Sequence, residues 1–172
     1  MTNGNLSLGR LRICLKTEAI GTNRAWMTEN LSVCPEDLAA IGITEGFLQN
    51  EDGMFYTQDV AKKLCGDGWQ LPAYNDWFDL MEAVEEKGHS LVRTVFSKKE
   101  SVFDGIPFGF YENGEWISGD DLCLLGSESG KDGKCSYFEV SSKDGMYVPQ
   151  NPYDTFCNAK AMFPVRLVRP KF

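Results

Sequence analysis

The groups best suited to chemistry are six cysteines, Cys14, Cys34, Cys65, Cys123, Cys135 and Cys157, and a single histidine, His89. A thiolate nucleophile or an imidazole base does its work in a partnered set, with a second group to activate or orient it. No two cysteines have the C-x-x-C spacing used by zinc sites and dithiol redox motifs, and His89 is far in sequence from every cysteine. His89 follows Gly88 at the end of an acidic amphipathic segment, the place of a surface histidine near a helix C-terminus. The chain has no G-x-S-x-G elbow, phosphate-cradling glycine loop, dinucleotide fingerprint or H-E-x-x-H pair. The expectation is therefore a protein with no catalytic residues and no cofactor. Asp120 and Asp121 stand in a glycine-flanked turn and read as solvated carboxylates, so no metal is expected either.

Charge and length narrow the partners. The 172 residues carry a net charge of −8, and their only basic clusters are Lys62-Lys63 and Lys98-Lys99, too few to track a phosphate backbone. No apolar run approaches the ~18 residues of a membrane span, and no basic stretch followed by an apolar core marks an export signal. Neither nucleic acid nor membrane is expected as a partner, and the expected location is a virion or the cytoplasm. The length suits one domain over residues 1–172, able to bury enough surface to fold without a metal or disulfide. The cysteines accordingly read as mostly buried, reduced thiols.

The elements follow from local pattern. Leu11, Ile13 and Leu15 alternate with Arg12, Cys14 and Lys16, predicting a half-buried strand. Val60, Ala61, Leu64 and Cys65 share one helical face over 57–65, with Thr57 as N-cap and Gly66 as stop. Trp77, Leu80, Met81 and Val84 predict a second helix that ends at Lys87-Gly88. Asn113-Gly114 predicts a hairpin joining 108–111 to 116–117. Asp132-Gly133 and Asp144-Gly145 punctuate the later part of the chain, with strands expected over 135–140 and 164–169. Two early helices and several late antiparallel strands make an α+β domain.

Several of these segments form a pattern: Trp26-Met27-Thr28-Glu29-Asn30-Leu31, Phe55-Tyr56-Thr57, Cys65-Gly66-Asp67-Gly68-Trp69-Gln70-Leu71-Pro72, and then Trp77 with Leu80. In this order they resemble the Fibrobacter succinogenes major paralogous domain family, which has a C-type-lectin-like fold. More loosely, Phe108-Gly109-Phe110, Gly126-Ser127-Glu128 and the closing Phe163-Pro164-Val165-Arg166-Leu167-Val168 are similar to later segments of that family. The resemblance implies two helices packed on a twisted antiparallel sheet with long irregular loops. Trp26, Trp69 and Trp77 are then core residues, with Trp69 locking the connection between the helices against the sheet. Glu29 and Asn30 read as turn residues leaving a strand. The family's last-strand cysteine, the implied partner of Cys65, is replaced here by Leu167, which favours free thiols.

The function that the resemblance implies is binding. Calcium-dependent sugar recognition is not expected, because the nearest segment, Gln150-Asn151-Pro152-Tyr153-Asp154, lacks the Glu-Pro-Asn or Gln-Pro-Asp loop and no Trp-Asn-Asp is present. Formylglycine-generating enzymes share the fold and use paired cysteines, which makes Cys123, Cys135 and Cys157 the candidates of an enzyme alternative. Those enzymes are considerably larger and carry motifs absent here. Relatives of the fold also include phage tropism determinants and retroelement variable proteins, which contact receptors through residues just before the last strand. By position these are Tyr147, Asn151, Tyr153, Asp154 and Asn158. The expected protein is a non-enzymatic binding or display module, such as a phage fibre, tail or decoration protein. It would be homo-oligomeric and recognise a protein or glycan receptor; the alternative is a structural subunit whose loops contact neighbouring virion subunits.

Overall fold

The computed structural model describes residues 2–20, 23–86, 109–117, 119, 121–143, 146–151 and 153–171, with backbone alone at 2–3, 18–20, 84–86, 142–143 and 146–149. The chain opens with β1 (Thr2–Leu8), β2 (Leu11–Ile20) and β3 (Arg24–Met27), then α1 (Pro35–Ala40) and the hairpin β4 (Phe47–Asn50) and β5 (Gly53–Tyr56). Two helices come next, α2 (Gln58–Lys63) and α3 (Tyr74–Glu86). Beyond them come β6 (Phe110–Glu112), β7 (Glu115–Ile117), β8 (Leu122–Ser129), a 3-10 turn (Lys131–Gly133), β9 (Cys135–Lys143), β10 (Met146–Pro149), β11 (Phe156–Cys157) and β12 (Val168–Pro170). The architecture is α+β, and every strand pairing among the described residues is antiparallel.

One sheet has the order β1-β2-β3-β12. On β2, Leu15 is buried with Leu11 and Ile13 half-buried, whereas Arg12, Cys14 and Lys16 face water, as their alternation predicts. The second sheet is built on β9: β8 runs along it, while β10 pairs with its C-terminal end and β11 with its N-terminal end. The 112–115 hairpin forms as predicted, with Asn113 and Gly114 at φ of 53° and 82°, the left-handed geometry that Asn-Gly adopts at least cost.

The helices are placed by buried polar groups as well as apolar faces. Thr57 caps α2 by accepting a hydrogen bond from the Val60 amide at 3.4 Å. Gln58, buried at its first turn, donates to the carbonyls of Gly126 (2.9 Å) and Glu128 (2.7 Å), which clamps α2 to β8. Asp76 of α3 accepts from the Ala73 amide at 2.9 Å and from Arg24 Nε at 2.5 Å, tying the helix to β3.

All three expected tryptophans are buried. Trp69 donates its indole N–H to the Asn5 carbonyl at 3.1 Å and packs so closely on Gly4 that a Cβ there would lie 2.8 Å from the ring. Trp77 stacks on Phe138 of β9 (centroids 4.4 Å apart, planes 8° apart) and meets Trp26 of β3 at 5.0 Å. Around these rings Leu80, Leu122, Leu124, Val140 and Val168 form one apolar cluster, and a larger one fills the space among β1, β5, α2 and the 161–167 segment.

The expectations are corrected in three places. Three helices are described where two were expected. The third, α1, begins with Pro35 and two acids and buries only Leu38, so it has no apolar face for the sequence to show. The closing strand is regular only over Val168–Pro170: Pro164 has no N–H to give, and the Leu167 amide donates to Met27 Sδ at 3.2 Å instead of to a ladder carbonyl. There Arg166 turns inward, donating from Nε to Asn30 Oδ1 at 2.8 Å, while the Val165 and Leu167 carbonyls accept from Leu31 and Met27. Finally, only Cys123, Cys135 and Cys157 are buried: Cys14 lies on the wet face of β2, Cys34 precedes α1 in solvent and Cys65 is half-buried. Phe108, Ser118, Asp144-Gly145 and the Lys87-Gly88 stop lie outside the described residues. Among the described residues no helix is long and apolar enough to cross a membrane.

Candidate binding face

Residues 150, 151 and 153–155 belong to a tight turn mounted on β9. The Gln150 amide donates to the Glu139 carbonyl at 2.8 Å, and the Tyr137 amide to the Thr155 carbonyl at 3.2 Å, so both ends of the turn are fastened to one strand. Asn151 holds the turn together: its Oδ1 accepts from the Tyr153 amide (3.1 Å), its carbonyl from the Asp154 amide (3.0 Å), and its Nδ2 donates to Asp154 Oδ2 (2.9 Å). This is an Asx turn closed by a side-chain bridge. Asn151 thus serves the turn with both ends of its amide, and Tyr153 and Asp154 are what the turn presents.

Tyr153 is 54% exposed, and its ring packs against α3. Its centroid is 4.5 Å from that of Tyr74 and 5.7 Å from that of Phe78, itself 38% exposed. The Tyr74 backbone is held by Glu128 Oε1, which accepts its N–H at 2.8 Å, and burial followed by the Glu128 and Tyr153 charges raises the Tyr74 hydroxyl pKa. Exposed Asn75 lies one helical turn from Phe78, so the aromatic plate is rimmed by polar groups on α3 and by Asp154 on the turn.

Asn158 belongs to a different feature, a groove of about 600 Å³ lined by Phe110, Glu112, Tyr137, Phe156 and Cys157 among others. Its amide donates to Glu112 Oε1 at 2.9 Å, and its Oδ1 accepts from the Lys160 amide at 2.9 Å. Tyr147 takes a place on β10 opposite Ser142, and its side chain lies outside the described residues. The structure therefore brings Asn151, Tyr153 and Asp154 together in one turn and sets Asn158 in the adjoining groove.

The cysteines of the enzyme alternative separate in the same way. Cys123 is fully buried opposite Glu139, and burial drives its thiol pKa far up. Cys135 and Cys157 face each other with their sulfurs 3.2 Å apart. His89, Lys98, Lys99, Asp120 and Pro152 lie outside the described residues. Among the described residues no group of three or more His, Cys, Asp or Glu side chains converges as a metal site would.

Tyr74 and Phe78 are the functional candidates that sequence reasoning missed. One signal was present: Phe78 is a large ring off the Trp77, Leu80, Met81 stripe, on the face of α3 that carries acids. The groove had no such signal, since its walls come from segments distant in the chain. No family model, curated protein or solved structure matches the chain.

Proposed function

We propose that the chain is a non-enzymatic binding module of C-type-lectin-like type, recognising a protein or glycan through the turn before its last strand. The observation that carries this reading is Tyr153, held proud of the surface by the Asn151 turn and backed by Tyr74 and Phe78. An exposed aromatic plate with a polar rim supplies contact area at little entropic cost, because the turn and helix pre-organise the rings. Such a plate can stack on the apolar face of a sugar or bury a partner's side chain, while Asp154 and Asn75 offer hydrogen bonds at its margin. The fold that the early segments resemble is also that of phage tropism determinants, which adds the expectation of display on a virion in oligomeric form.

The test is to probe the full chain and its Tyr153→Ala and Tyr153→Phe variants on a printed glycan array and on immobilised cell-surface protein. Alanine is expected to weaken binding about 30-fold, as at a central aromatic anchor, with phenylalanine near wild type. Binding that is indifferent to Tyr153→Ala would overturn the reading. The same plate also suits a structural subunit, in which it would meet a second copy. In that case Tyr153→Ala lowers the mass measured by light scattering and no receptor is found on either surface.

A further inference from the structure

We propose that Cys135 and Cys157 are an oxidative modification site, a dithiol that closes to a disulfide when the protein meets a hydroperoxide. The backbone sets the geometry. β11 pairs antiparallel with β9, and Cys157 stands directly opposite Cys135. Directly opposed residues point to the same face of a sheet with Cα atoms ~4.5–5.5 Å apart, inside the ~4.4–6.8 Å window that disulfides use. The sulfurs are 3.2 Å apart, so closing to a covalent bond asks for movement of about 1 Å.

The pair is also chemically differentiated. The Cys157 thiol, hydrogen-bonded to the Cys135 sulfur, lowers the Cys135 pKa against the opposing effect of burial, and Cys157 in turn holds its proton strongly. One sulfur is thereby the nucleophile and its neighbour the resolving thiol. Cys157 is 8% exposed and lines the groove, whereas Cys135 beside it is 1% exposed, so the groove is the side from which an oxidant meets the pair. The other cysteines lack this arrangement. Cys14 and Cys34 are exposed and apart, Cys65 donates its S–H to the Ala61 carbonyl at 3.3 Å, and Cys123 is sealed in the core.

In the first step the Cys135 thiolate attacks one peroxide oxygen: an S–O bond forms, the O–O bond breaks, and the departing oxygen takes a proton to leave as alcohol or water. The product is a sulfenic acid on Cys135. Cys157 then gives up its proton and its sulfur attacks that of Cys135, forming S–S and breaking S–O, with the hydroxide leaving as water. Two thiols and one hydroperoxide thus become one disulfide, one water and one alcohol or second water, the two sulfurs supplying two electrons. The new bond joins positions 22 residues apart and closes the segment that carries Asn151, Tyr153 and Asp154 into a covalent loop.

The experiment is stoichiometric hydrogen peroxide on the full chain at neutral pH, alkylation of remaining thiols, and peptide mapping without reduction. A Cys135–Cys157 linked peptide is expected, with a whole-chain mass lower by two hydrogens and a Tm raised by about 6–12 °C, all reversed by dithiothreitol. In Cys157→Ser, which keeps a hydrogen-bond donor beside Cys135 but no second sulfur, the sulfenic acid on Cys135 is expected to persist and to be captured by dimedone. Cys135 and Cys157 recovered alkylated, carrying oxygen, or linked to any other cysteine in the wild-type chain would each overturn the proposal, whether or not the variant folds. Because the map reads sulfur chemistry alone, its outcome is separate from that of the Tyr153 binding test.

Discussion

Glu139 shows how a single side chain on β9 makes stability depend on pH. It sits opposite Cys123 and beside Asp121, and burial, followed by the Asp121 charge, raises its carboxyl pKa above the ordinary 4.5. The folded chain therefore holds this proton more tightly than the unfolded one. The contribution to stability is full below the unfolded value and is lost as pH rises through the folded value. Glu139→Gln fixes a neutral group there, so the variant is expected to melt above wild type at about pH 7 and level with it at about pH 4. A gain of equal size at both pH values would place the cause in packing. The same scale explains Asn151: a residue type suited to ligand contact spends both ends of its amide on its own turn, and Tyr153 is what gains from it.

At the scale of elements, α3 connects the scaffold to the candidate face. Its N-terminus is fixed by Asp76, buried, with one oxygen on the Ala73 amide and the other on Arg24 of β3. Asp76→Ala removes the cap and leaves the largely covered Arg24 charge unpaired. It is expected to cost about 2–4 kcal/mol, read as a lower urea midpoint at unchanged slope. Asp76→Asn keeps an acceptor for the Ala73 amide and should cost less. If Asp76→Ala is neutral, the pair is ornamental and α3 is held by its apolar face alone.

Over the whole molecule the two sheets are joined through aromatic rings. Trp77 of α3 lies between Trp26 of β3 and Phe138 of β9, so one indole touches both sheets. Trp77→Ala opens a cavity at that junction and is expected to cost about 3–5 kcal/mol in denaturant unfolding, with loss of the near-UV signal of the paired indoles. Trp77→Phe keeps a ring against Phe138 and should fall between the two. A cost for Trp77→Ala no larger than that of an exposed aromatic would mean that the sheets are joined elsewhere.

Short-range order was legible in the residues themselves. The Thr57 cap, the Trp77-Leu80-Met81 stripe, the Leu11-Ile13-Leu15 alternation and the Asn113-Gly114 turn each express physics complete within one or two turns of chain, and each forms where its pattern lies. The tertiary structure alone decided that Pro164 to Leu167 are covered on both faces, that Tyr153 lies on Tyr74 and Phe78, and that Cys135 meets Cys157. The reason is physical. Hydrophobic spacing states which side of an element avoids water, but the identity of the covering surface depends on how distant segments close on one another, and that information resides in no single stretch of sequence.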